Sequence, residues 1–340
     1  MLTHPASLLL DISKNFSNHR QLRDDSWYGY QDGDHWGAIP FAVNSLYRGQ
    51  TAHHYPMLPS IARGLRSPDI AEISKSSIPD QANLIFRLAQ SAWFQRELKY
   101  HPIFTHAGQQ KLDLDPIALA QHYEIPTGYL DLSDDFNVSA FFATCRKTQH
   151  GWEPVATGVG VIYRVDLSTL ETPFGRYIPL GPQPLPRPTE QCAWVTELPI
   201  CHSFEGWPNV SKLHFEHDRD VGEHFLNMFS SGEKLFPPDP LADVASEILT
   251  CREIPIDLVD AVLDSFINDP FGPLKSQFPT IRKEVAKLAT LIGNRRLLTD
   301  QQVASLLANE AWSEKMLAEV KAKWRVVRRV PIPPNEAKEC

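Results

Sequence analysis

Residues 41–50 read FAVNSLYRGQ, a short apolar run that closes on the pair Arg48-Gly49. A run of that length that stops at a turn former predicts a strand. The next stretch, YPMLPSIARGL at 55–65, carries Pro56 and Pro59 and so opens as a loop. Outward from this strand the pattern keeps changing period. GYLDL at 128–132 is a second strand candidate, and in TGVGVIYRVDL Val159, Val161, Tyr163 and Val165 alternate as strand residues do. AWVTELPI at 193–200 and SKLHFEHD at 211–218 continue the set. GPQPLPRPTE at 181–190, with four prolines, predicts an extended loop between TGVGVIYRVDL and these two strands.

Helices surround these strands. Over 80–99, Leu84, Leu88 and Ala92 recur every four residues. Asp115-Pro116 is a helix start, with Asp as N-cap and Pro in the first turn. Asp134 or Asp135 can cap the next helix, whose apolar face is Val138, Phe141, Phe142 and Cys145. From about 218 onward DVGEHFLNMF, ADVASEIL, IDLVDAVLDSF, TIRKEVAKLATLI and DQQVASLLANEAWSEKMLAEV all have helical spacing, and VVRRVPIPP closes as a strand or tail. The stretch 16–40, rich in Asp, Gly, Trp and Tyr, predicts an irregular entry segment with a turn at Asp32-Gly33. The expected class is α+β: a strand-rich core with flanking helices and a helical C-terminal third. Three parts follow: an N-terminal segment at 1–39, a core at 40–217 and a helical region at 218–340. No Gly/Ser-rich linker precedes the last part, and FPPDP at 236–240 is a rigid turn, so the helices are expected to pack on the core.

Composition narrows the function. With 42% hydrophobic and 22% charged residues the chain can bury a real core. A net charge of -8 and a pI near 5.9 argue against general binding to nucleic acid or anionic membranes. Five irregularly spaced cysteines suggest no disulfide framework and point to a reducing compartment. The leucine run near the N-terminus is too short for a signal-peptide core, and no stretch reaches the length of a membrane span, so a cytoplasmic location is expected.

Two blocks carry a resemblance. LYRGQTAHHYPMLPSIAR, followed by LAQHYEIPTGYLDLSDDFNVSAFFA between Leu119 and Ala143, resembles the FRG domain family. That family has an aromatic-Arg-Gly motif, a YPLLPS-like stretch and a downstream AQHYGLPTRLLDWT…ALFFA block. Glu124, Gly128 and Leu132-Ser133 depart from it, and Arg187 with Gln191-Cys192-Ala193-Trp194 approximates the family's later Arg…Gln-x-Gly-x-Phe. The likeness spans roughly 40–215. The order of blocks is also similar to the ADP-ribosyltransferase-like fold, with Tyr47-Arg48-Gly49 as its first motif, Leu130–Ser133 as its second and Glu190-Gln191 near its third. What this second resemblance implies is an enzyme that binds NAD as substrate and transfers ADP-ribose to a protein or other macromolecule, or hydrolyses the nicotinamide bond. A toxin or phage-defence effector would fit. The alternative is a non-catalytic module that binds a nucleotide or a protein partner.

Each candidate residue has a functional and a structural reading. Arg48 can present a planar fork to a phosphate or ribose, with Gly49 allowing close backbone approach; otherwise it pairs with a carboxylate such as Asp131. Tyr47 and Gln50 flank it as further ligand contacts. His122 and Tyr123 can bind or floor a ligand, or belong to an aromatic core. Asp131 and Ser133 sit before a helix N-terminus, where they can hold an anion or ribose, or simply cap. Glu190 or Gln191 would stabilise an oxocarbenium-like transition state. His214, His217 and His224 lie close in sequence, but residues three apart on a strand face opposite sides, so no metal site is expected.

Overall fold

The computed structural model describes residues 2–21, 27–32, 35–40, 43–65, 73–109, 114–168, 177–180, 185–198, 203–269, 272–308 and 324–328. Its centre is a six-stranded sheet. In spatial order the strands are Val210–Glu216, Val159–Asp166, Ser45–Gln50, Tyr129–Ser133, Ala193–Glu197 and Tyr177–Pro179, and every neighbouring pair is antiparallel. With the helices around it the fold is α+β.

Alternation along each strand separates two cores. On one face Leu46, Val161, Tyr163, Val165, Leu130, Leu132 and Trp194 meet Met57, Phe204 and Trp207 from loops. On the other, Tyr47, Ile162, Leu213 and Phe215 meet the helices Ser7–Gln21, Phe136–Thr144 and Arg219–Met228 through Leu9, Phe136, Phe141 and Phe225. A third core lies off the sheet. There the long helix Ile78–Tyr100, capped by Ser77, packs Ile85, Ala89, Trp93 and Phe94 against Leu241, Val244, Val259, Leu263, Ile281 and Val285. The C-terminal helices thus share one apolar core with a helix of the central region.

The two central strands scarcely touch. Ser45–Gln50 pairs with Val159–Asp166 along its whole length, from Ser45–Asp166 to Gln50–Val161, but with Tyr129–Ser133 only at Tyr47–Ser133. Beyond that pair the strands splay, leaving a seam in the middle of the sheet.

Several local readings change. Two parts of the stretch 27–40 are regular: Trp27–Asp32 and His35–Pro40 pair as antiparallel strands, and Trp324–Arg328 joins Trp27–Asp32 in parallel. Asp32 ends a strand, while Gly33 lies outside the described residues. Within the proline-rich stretch, Pro186–Glu190 forms a short helix, because proline at a first helical position lacks only an N–H that would go unpaired anyway. The N-terminal leucines belong to the helix Ser7–Gln21. The C-terminal helical reading holds for Asp300–Ala308, and its continuation to Val320 lies outside the described residues. Among the described residues no helix is long and apolar enough to cross a membrane.

Candidate functional site

The seam opens on a small cavity lined by Tyr47, Arg48, Gly49, His122, Asp131, Leu132, Ser133, Val138, Ser139, Phe142 and Gln191. Arg48 fills the gap where ladder hydrogen bonds end. Its Nη1 donates to the Asp131 carbonyl oxygen at 2.8 Å and lies 2.6 Å from Asp131 Oδ2. The guanidinium is buried, and its Nε has no hydrogen-bond partner among the described residues. Asp131 keeps 41% of its side chain accessible, so its carboxylate is the wet end of the pair. Partial burial opposes its ionisation, but Arg48 outweighs that and holds its pKa well below the usual carboxylate range.

A hydrogen-bond chain ties the pair to both signature blocks. Gln121 Nε2 donates to Asp131 Oδ1 at 3.0 Å. Gln121 Oε1 accepts from Thr127 Oγ1 at 2.6 Å and Ser60 Oγ at 3.1 Å, and Ser60 Oγ accepts from the Thr127 N–H at 3.0 Å. Ser60, Gln121 and Thr127 are therefore positioning residues for Asp131. Sequence reasoning did not assign them that role, because the Ser60 bonds that complete the chain span 61 and 67 residues.

His122 ends the helix Pro116–His122, which Asp115 caps as the sequence predicts. Its Nδ1 lies 3.0 Å from Gln191 Oε1, and Gln191 Nε2 donates to the Leu235 carbonyl at 2.9 Å. A carbonyl oxygen only accepts, so Nδ1 carries the proton and a neutral His122 has its lone pair on Nε2. That nitrogen is buried and makes no full hydrogen bond to a described residue. Burial lowers the His122 pKa and outweighs Asp131, Gln191 and the Trp194 carbonyl, which raise it. Ser133 Oγ donates to the Gln191 carbonyl at 2.8 Å and accepts from Asp135 N–H at 3.0 Å, and the cap of the following helix is Asp135.

Gly49 has a packing reason for its missing side chain. A Cβ there would lie 1.8 Å from the Ser139 carbonyl oxygen and 2.8 Å from the Ala143 nitrogen. The glycine admits the helix Phe136–Thr144 against the strand, whereas the sequence reading gave it to a ligand's approach. Tyr47 packs edge-on against Phe16 and Phe136 at 6.1 and 5.5 Å while also lining the cavity.

Three sequence candidates stand apart from the cavity lining. Tyr123 is a core residue, its hydroxyl donating to Asp239 and its ring between Phe94 and the Arg187 guanidinium. Gln50 pairs across to Val161 at the strand end, with its Oε1 buried and without a hydrogen-bond partner among the described residues. Glu190 is exposed at the end of its short helix, so the carboxylate that the sequence offered for catalysis is not at the seam; Asp131 is the acid there. Among the described residues no group of three or more His, Cys, Asp or Glu is placed to hold a metal ion.

Compared with known families, residues 43–151 match the FRG domain, a span that includes both signature blocks. No curated protein and no solved structure matches the chain.

Proposed function

We propose that the seam is the nucleotide-binding site of an ADP-ribosyltransferase-like enzyme, with NAD as ligand. What carries this reading is the convergence of Arg48, His122, Asp131, Ser133 and Gln191, far apart in sequence, on one cavity between splayed strands. Arg48 would hold a phosphate or ribose oxygen through its unpartnered Nε edge. Asp131, kept ionised and partly accessible, replaces Glu190 as the carboxylate that stabilises an oxocarbenium-like transition state. In that step the ribose C–N bond breaks, nicotinamide leaves with the bonding pair, and an acceptor oxygen bonds to the same carbon and loses its proton. The cavity holds about 20 Å³, room for a water. A dinucleotide would have to part the seam, opening the single ladder pair Tyr47–Ser133 and the Arg48–Asp131 contact.

A second reading, a module that binds a nucleotide without chemistry, draws on Gln191. Both ends of its side chain are engaged within the fold, and its neighbour Glu190 points elsewhere.

Isotopically labelled NAD separates the two. Free labelled nicotinamide supports the enzyme; heat of binding in calorimetry without release supports the module; neither overturns both. Arg48→Lys keeps the charge but loses the fork, so affinity or rate should fall about a hundredfold, from roughly 2–3 kcal/mol of charged hydrogen bonding, at near-native melting temperature. Wild-type behaviour of that variant would leave Arg48 as a partner for Asp131 alone.

A further inference from the structure

One turn before Gln191, the helix Pro186–Glu190 carries an arginine that the cavity lining does not include. The Gln191 N–H donates to the Arg187 carbonyl at 3.0 Å, and residues four apart on a helical turn share a face. The Arg187 guanidinium stacks on two rings, 4.9 Å from the centre of Tyr123 and 5.5 Å from that of Phe236. Phe236 is fixed in turn by Trp152, stacked on it at 5.2 Å, and by Phe142, which meets it edge-on at 6.0 Å. A second cation shares this ring: Lys147 Nζ, from the strand Cys145–Thr148, lies 5.8 Å from its centre. Three residues of the cavity lining reach this place. Phe142 packs on Phe236, Gln191 Nε2 holds the Leu235 carbonyl just before Phe236, and His122 is the chain neighbour of Tyr123. Burial is the main cause of the lowered His122 pKa, and the Arg187 charge adds to it.

We propose that Arg187 and Lys147 form a phosphate subsite beside the seam, which takes the diphosphate of the dinucleotide. Three observations support it. Stacking occupies the flat faces of a guanidinium and leaves its five N–H donors around the edge. Among the described residues none accepts from Arg187: its Nε is buried without a partner, and no carboxylate lies within ion-pair distance. Asp239 has its oxygens engaged by Tyr123 Oη and the Leu241 N–H. By contrast Arg87 and Arg96, equally half-buried, both donate to carbonyls or a carboxylate. A planar cation clamped by two rings with its donors unspent is preorganised for a phosphate, which accepts two parallel N–H bonds. Lys147 supplies the second charge. Its one described carboxylate partner is Glu124 at 3.2 Å, with both side chains more than half accessible, so that pair is weak and gives way to a stronger anion. Finally, a diphosphate is bonded to the ribose, so its subsite must adjoin the one for the sugar, and Phe142 and Gln191 belong to both places. The inference rests on the NAD reading and deepens it: the phosphates go to Arg187 and Lys147, and Arg48 is left with the ribose.

Inorganic pyrophosphate, titrated by calorimetry, tests the subsite without NAD. Arg187→Gln should bind it about tenfold more weakly, the loss expected for one charged hydrogen bond. Lys147→Gln, at an exposed position, should weaken it about threefold. Glu124 has a φ of 66°, in the left-handed region that favours glycine, so Glu124→Gly suits the backbone while freeing Lys147. That variant should bind pyrophosphate about threefold more tightly. In release of labelled nicotinamide, Arg187→Gln should raise KM for NAD and leave kcat nearly unchanged, as a lost binding contact does. Equal pyrophosphate affinity of the wild type and Arg187→Gln at near-native melting temperature overturns the subsite. If Arg187→Gln does not fold, unchanged affinity in both Lys147→Gln and Glu124→Gly overturns it from exposed positions alone, as does a wild-type chain that binds no pyrophosphate. Pyrophosphate binding that depends on Arg187, in a chain that neither binds NAD nor releases nicotinamide, defeats the NAD reading and leaves the phosphate subsite standing.

Discussion

The two faces of the central sheet are secured by opposite means. Under the helix Phe136–Thr144 the contact is steric and apolar: Gly49 against backbone, Phe136 and Phe141 against Tyr47 and Ile162. Under the loop and the turn Phe204–Gly206 the apolar residues share the face with a charged network of Glu205, Tyr163, Lys212 and His53. An apolar interface tolerates change only in proportion to volume, whereas a polar one fails when a single partner goes missing and leaves the other buried. Arg48 and Gly49 are consecutive on one strand and so serve the two faces in turn. This is the reason the Arg-Gly pair works as a unit.

Substitutions on either side test that contrast. The largest effect should come from Gly49→Ala. Its methyl would overlap the Ser139 carbonyl, part of the backbone and unable to swing aside, so a loss of about 3 kcal/mol or more is expected in urea unfolding. A loss below about 1 kcal/mol would mean that the helix yields freely, and the steric account would fail. Arg48→Met should rank next. Breaking a buried pair costs about 3–5 kcal/mol, but Asp131 is wet at one end, so about 2 kcal/mol is the discounted expectation. Adding Asp131→Asn should then cost little more, since the pair is already gone; additive losses in the double-mutant cycle would show that the two act separately.

Glu205→Gln should cost about 1–2 kcal/mol at neutral pH and should also change the pH response. The folded pKa of Glu205 is below its unfolded value near 4.3, so its contribution is complete above that value and is lost as pH falls through the lowered one. The wild-type urea midpoint should therefore drop below about pH 4, and the variant should drop less. Asp131 shifts in the same direction, so part of the slope should survive. An unchanged slope in Glu205→Gln would place the acid sensitivity elsewhere. Ser60→Ala should have the smallest effect, about 1 kcal/mol, because it strands the Thr127 N–H while Gln121 Oε1 keeps its bond from Thr127 Oγ1. If calorimetric affinity for NAD falls by more than that amount, Ser60 has a direct part at the seam.

Much of the fold was legible because its signals are local. Asp115 before Pro116 caps the helix it was expected to cap, and the alternation from Val159 to Val165 is the strand it implies. The missing parts are non-local. The pairing of Trp27–Asp32 with Trp324–Arg328 leaves no trace in either segment alone, and a stretch rich in Asp and Gly looks like a loop. At the site, Arg48, Asp131, His122 and Gln191 could be picked out as a polar set at element ends, and the structure groups them. Glu190 and Gln191 could not be told apart, since one residue along a helix end separates an exposed side chain from a buried one. Glu205 lies in a segment with no periodicity, 152 residues from His53, so nothing in the sequence joined the two.

The single ladder pair between Tyr47 and Ser133 has a consequence for the motions of the molecule. A continuous sheet tends to open as one cooperative unit, but a sheet joined at its centre by one residue pair and one guanidinium is two three-stranded units side by side. Amide protons of Val159–Asp166 and of Ala193–Glu197 would then exchange with solvent under separate protection, each governed by its own half, and a ligand seated between the halves would make the two rates converge.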